Sequence, residues 1–185
     1  MSMKKTIILI TLCLVAFCCP VQAQHLKFMG IPLNGTITQF QQKLTAKGVK
    51  YDKAASQQMP SGVRYFKGTF AGEKANILIY YDPSSKIVYK AKAVMGYPTA
   101  SSCDTKYEDL KSLLSAKYAD AETETDYQDG HESFYYRVND NGNLGVICIY
   151  VSNNIFAYPY EYEVNIEYVD FANYLMNDFS KMEDL

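Results

Sequence analysis

Few side chains in this 185-residue chain combine a reactive type with a useful spacing. The two histidines are His25 and His131. His131 falls in Asp129-Gly130-His131-Glu132, where an imidazole and two carboxylates lie close enough along the chain to share a cation. A tetrahedral zinc site needs further ligands at set spacing, and none follows, so the segment reads as a polar turn before a strand. A cysteine nucleophile would need Cys103 or Cys148 beside His131. Cys148 lies in the apolar run from Val146 to Val151, where a thiol is inert core, and Cys103 stands just before a helix. The chain has no Gly-x-Ser-x-Gly elbow, phosphate-cradling glycine loop or His-Glu-x-x-His helix. Asp140-Asn141-Gly142-Asn143 is a hairpin turn rather than a calcium loop, and Pro83 shapes Ser84-Ser85-Lys86 as a turn. No catalytic residue, metal ligand or cofactor is assigned on these residues.

Two features point instead to binding. Glu161, Glu163 and Glu167 recur at even spacing, which puts like charges on one exposed face of a strand. Such a row costs stability unless something basic answers it, so it is a candidate interaction face, with Lys90 and Lys92 as cross-strand partners in the plainer reading. The chain also has 17 tyrosines and no tryptophan. Tyrosine offers a large contact area with a polar tip, which suits protein or carbohydrate recognition as well as strands and core edges.

The elements that must position these residues begin after a leader. Lys4 and Lys5, the apolar run from Thr6 to Phe17, Pro20 and Val21-Gln22-Ala23 have the three parts of a secretory signal over residues 1–23. The apolar run is shorter than the roughly 20 residues a spanning helix needs, so no transmembrane segment is expected after cleavage. Cleavage after Ala23 makes Gln24 the mature N-terminus and predicts a periplasmic or secreted protein. A lipid anchor on Cys18 or Cys19 competes, but Phe17 and Cys18 are poor residues before a modified cysteine. Residues 24–185 are a single-domain length. The signal carries two of the 18 basic residues and none of the 20 acidic ones, so the mature charge is 16 minus 20, or −4. A mildly acidic chain without a basic run is a poor binder of nucleic acid or anionic membrane. In an oxidising compartment Cys103 and Cys148 would either pair, stabilising by about 4 kcal/mol, or remain two buried thiols, and the sequence leaves both open.

The remaining pattern is a duplication at an offset of 70 residues, with repeats over about 36–97 and 104–168. Thr36 and Gln39 form a capping box before Ile37, Phe40 and Leu44, and Gly48 closes the helix. Thr105 and Glu108 repeat the box before Tyr107, Leu110, Leu113 and Leu114. Three strand-like runs follow each helix: 64–70, 76–81 and 87–94, then 134–140, 146–151 and 157–164. Tyr160 to Tyr168 shows the cleanest alternation, and an amphipathic helix is expected over about 170–181. The predicted class is α+β: duplicated α-β-β-β units forming an antiparallel sheet with helices on one face, plus a C-terminal helix.

Phe28-Met29-Gly30-Ile31-Pro32-Leu33-Asn34-Gly35-Thr36-Ile37, followed by Phe40, Lys43-Leu44 and Lys47-Gly48, resembles the opening of short exported Bacteroidetes-type proteins of unassigned function. The duplicated layout is similar to the tandem repeats of β-lactamase-inhibitor-protein-like folds. No inhibitory contact residue of that family matches here, so inhibition is not implied. The function expected is that of an exported, non-catalytic binding module contacting a protein or glycan partner. The alternatives are a carboxylate-dependent hydrolase using residues such as Glu132 or Glu161, or an envelope structural or assembly factor.

Overall fold

Residues 24–128, 131–139, 143–153 and 160–175 are described in a computed structural model of the chain. Asp129, the turn at 140–142, the signal segment 1–23 with Cys18 and Cys19, and 176–181 of the expected final helix lie outside them.

Alternation of apolar and polar residues builds one large sheet. The strands are β3 (Lys50–Tyr51), β4 (Val63–Phe70), β5 (Glu73–Tyr81), β6 (Val88–Tyr97), β7 (Glu122–Gln128), β8 (His131–Asn139), β9 (Asn143–Asn153) and β10 (Tyr162–Asp170). They pair antiparallel in the order β3-β4-β5-β6-β10-β9-β8-β7. A separate small ladder joins β1 (Lys27–Phe28) to β2 (Ile31–Pro32). The class is α+β with an antiparallel sheet, as the sequence indicates.

The helices follow their caps and apolar spacing. In α1 (Ile37–Ala46), Thr36 accepts from the Gln39 N–H, the Gln39 side chain answers the Thr36 N–H, and Ile37, Phe40 and Leu44 are buried. Gly48 then takes φ +84°, a left-handed conformation open to glycine at little cost. A four-residue helix, α2 (Lys53–Ser56), is capped by Asp52. The second long helix, α3 (Ala100–Lys117), departs from expectation. Thr99 is its N-cap, accepting from the Ser102 N–H, so it starts five residues before Thr105. Thr105 lies inside it, with its hydroxyl donating to the Ser101 carbonyl. A second N-cap won because a helix can begin at any well-placed hydroxyl that the following residues allow. Residues 171–175 form the described part of the C-terminal helix, α4.

The two sheet faces are unlike each other. Phe66, Ile77, Ile79, Ala91, Ala93, Ile147, Ile149, Val164 and Ile166 face α1 and α3 and join their buried residues in one core cluster. The opposite face carries Tyr65, Leu78 and Val94, against which Ala55 of α2 and Met59 pack. The two long helices therefore lie on one face, while the short α2 stands against the edge of the other. Burying this core at about 25 cal/mol per Å2 of apolar surface is the main favourable term holding the layers together.

The last strand corrects the gapless repeat. Leu78 lies opposite Tyr65 and Cys148 opposite Tyr135, a shift of 70 residues for both hairpins. Leu78 also lies opposite Lys92, whereas Cys148 lies opposite Glu167, a shift of 75. At an offset of 70, Val94 would correspond to Val164, yet Val94 faces away from the long helices and Val164 toward them. Five extra residues between β9 and β10 account for the difference, and an odd number is what flips a strand's faces. The acidic edge strand β7 and the short β3 are additional to the three strands expected per unit.

Candidate functional site

The face opposite the long helices is polar at its centre. Glu167 on β10 lies directly across from Lys92 on β6. Its carboxylate is 2.5 Å from Lys90 Nζ and 3.4 Å from Lys92 Nζ. The Tyr150 hydroxyl donates to Glu167 Oε1 at 2.8 Å and accepts from Lys92 Nζ at 2.8 Å. Burial pushes the Glu167 carboxyl up, but the two ammonium groups and the Tyr150 hydroxyl outweigh it and hold the carboxyl below its ordinary range. Burial lowers the Lys92 ammonium, and Glu167 and Glu163 only partly restore it.

Tyrosines flank this charged seam on both sides. Lys90 Nζ lies 4.8 Å from the centre of the Tyr80 ring, and Lys92 Nζ 5.2 Å from that of Tyr150. Tyr65 stands beside Leu78, and Tyr135 beside Cys148, one strand further out on either side. Tyr80, Tyr135 and Tyr150 are half-buried, so each keeps part of its ring for a partner. Desolvation raises Tyr65 and Tyr80 to about 12, which keeps both hydroxyls protonated as donors at neutral pH.

The acidic row does not form the exposed face expected of it. Glu161 is exposed and precedes β10. Glu163 is fully buried, accepting from the Ser152 hydroxyl at 2.9 Å and sitting 3.5 Å from Asn165 Nδ2. Glu167 is mostly covered by its lysines. The row lies on the sheet's second covered layer rather than on water, because the strand is central and neighbours close over both its sides. Asn165, also fully buried, donates to Ser152, while its side-chain Oδ1 accepts no hydrogen bond.

Cys103 and Cys148 are both free thiols. Cys103 joins the core beneath α3, whereas Cys148 lies on the opposite face beside Tyr135 and Glu167. The sheet separates them, so the pairing reading does not hold. Burial pushes Cys103 up to about 11 and Cys148 up to about 12, which makes neither a nucleophile.

Glu132 stands elsewhere, beside α3. It accepts from Lys111 Nζ at 2.6 Å, the Tyr107 hydroxyl at 2.8 Å and the Tyr127 hydroxyl at 3.2 Å. Those bonds, Lys111 first, lower its carboxyl. Among the described residues no three His, Cys, Asp or Glu side chains are grouped to hold a metal, and no helix is long and apolar enough to cross a membrane. His25 is not a loose end: its Nδ1 lies 3.1 Å from the buried Asp170, which also accepts from the Leu26 N–H at 2.9 Å. No family model, no curated protein and no solved structure matches this chain.

The tyrosine pairs and the depth of Glu163 were beyond sequence reasoning, since the even spacing of the glutamates says which residues share a face but not whether that face is covered. The cross-strand role of Lys90 and Lys92 was in reach, because alternation and strand order together place them beside Glu167.

Proposed function

We propose that the chain is an exported, non-catalytic binding module that contacts a protein or glycan partner through the face opposite its long helices. The observation that carries this reading is the set of tyrosines flanking the Lys90–Lys92–Glu167 seam, half-buried on a rigid antiparallel sheet. Aromatic rings on a rigid sheet give contact area at small entropic cost, and the fixed charges between them give orientation.

The duplication belongs to the same reading. Ile37, Phe40 and Leu44 of α1 recur as Tyr107, Leu110 and Leu114 of α3, each 70 residues on, and all six are buried. Tyr65 and Tyr80 recur as Tyr135 and Tyr150. Two copies meeting at the β6–β10 seam would bring both tyrosine pairs to one surface, and the strand order supports the β-lactamase-inhibitor-protein-like layout at the level of topology alone.

The carboxylates argue against the hydrolase alternative. Glu132 and Glu167 are held as anions by lysines and tyrosine hydroxyls, so neither is poised as the protonated acid that glycoside cleavage needs.

Affinity capture with tagged 24–185 from cell envelope and medium tests the reading. A partner should be recovered, be lost with Ser133→Arg plus Tyr135→Ala on the tyrosine face, and be retained with Leu113→Arg on the exposed side of α3. Recovery that survives the first pair and fails with the second would place binding on the helical side and end the proposal.

A further inference from the structure

At one end of the tyrosine face, Tyr160 stands over the strands β4, β5 and β6 and walls a cleft of about 250 Å3. We propose that this cleft is a subsite for one acidic sugar residue, a hexuronate ring. The proposal rests on reading the sheet face as the binding surface and names the chemistry of one part of it.

Size comes first. The cleft is smaller than the roughly 300–1,000 Å3 of pockets for drug-sized ligands, which suits a single pyranose rather than a longer glycan held end to end. Tyr160 is 42% exposed, leaving an aromatic surface for the apolar C–H face of a sugar ring. Val94 and Gly96 line the opposite side, and Gly96 has no side chain to keep a ring from the backbone. The Asn76 amide supplies the kind of group that reads hydroxyls.

Charge then selects the acid. Lys67 and Lys74 both line the cleft, and Lys50 lies directly across β3–β4 from Lys67. Like charges facing each other across a ladder are unfavourable until an anion joins them. Among the described residues one carboxylate, Asp52, is bonded to any of these three lysines, 3.1 Å from Lys67 Nζ. A chain of net charge −2 therefore carries a locally positive corner where its aromatic wall stands. Glu163, across from Gly96, is fully buried and bonded to Ser152, so it is not presented to a ligand.

Titration calorimetry of 24–185 with methyl glucuronide and trigalacturonate, against methyl glucoside, tests the assignment. Saturable binding of the acidic sugars is expected, at least about tenfold tighter than the neutral one and weakening as salt rises. Lys74→Glu and Tyr160→Ala alter exposed side chains, so they should keep the circular dichroism spectrum while each weakening binding about tenfold or more. No binding of the acidic sugars, equal binding of the neutral one, or binding untouched by both variants would overturn the subsite. Capture of a partner through Ser133 and Tyr135 in the same preparation would show that the wider face still serves; loss of both results would bring down both readings.

Discussion

Glu167 holds two lysines and a tyrosine hydroxyl on a central strand, and its side chain is 17% exposed. Removing one partner of a largely buried charged cluster leaves the others uncompensated, so Glu167→Gln should destabilise by about 2–3 kcal/mol in urea unfolding. The sign of the pH dependence follows from the carboxyl being lowered on folding. Its stabilisation is complete above the unfolded value of 4.5 and is lost as pH falls through the lower folded value. Wild-type stability should therefore fall below about pH 4.5, and Glu167→Gln should flatten that fall. A variant with the same acid slope as wild type would show that Glu167 is not the group responsible. At this scale the sequence disclosed the cross-strand lysines, since Lys92 and Glu167 have the alternation of facing strands. It did not disclose that Glu163, two turns of the same alternation away, has no exposure at all, because burial depends on what closes over the strand.

Elements are fixed where backbones come closest. Gly145 on β9 lies across from Asp170 on β10, and a methyl at Gly145 would stand 2.1 Å from the Val169 carbonyl oxygen. That neighbour is backbone and cannot rotate away. Gly145→Ala should thus cost about 3 kcal/mol or more, read as a lower thermal midpoint, whereas Gly72→Ala at an open turn costs the left-handed backbone strain alone. Equal midpoints for the two variants would refute the close approach. Asp170 ties two ends of the chain at the same place, accepting from the Leu26 N–H and from the Asn173 N–H at 3.2 Å. Asn173 in turn donates to the carbonyls of Leu33 and Val88. The first helix was legible from its capping box and apolar spacing, and so was each hairpin from its alternation. The start of α3 was misplaced because Thr99 and Thr105 are both competent caps by local chemistry, and the choice rests on Cys103 finding room in the core.

The whole molecule is one cooperative unit by its core, which draws on both halves. Phe66, Ile77 and Ala93 of the first half share a cluster with Ile147, Val164 and Leu110 of the second. The β6–β10 pairing runs through the middle of the sheet, so separating the halves would expose two unpaired edges and an open apolar layer. Fragments 24–98 and 99–185 should each lack a cooperative thermal transition, while 24–185 shows a single one by calorimetry. A sharp transition in either fragment alone would mean that each unit carries a sufficient core. The sequence by itself determined the α+β class, the antiparallel hairpins, the cap of α1 and the charge pairing open to Glu167, because these follow from local periodicity and residue chemistry. Only the tertiary structure decided the side of the sheet on which each cysteine lies, the burial of Glu163, the five-residue shift of β10 and the gathering of tyrosines on one face. Each of those depends on register and on what packs against a strand, and neither quantity is carried by any short stretch of chain.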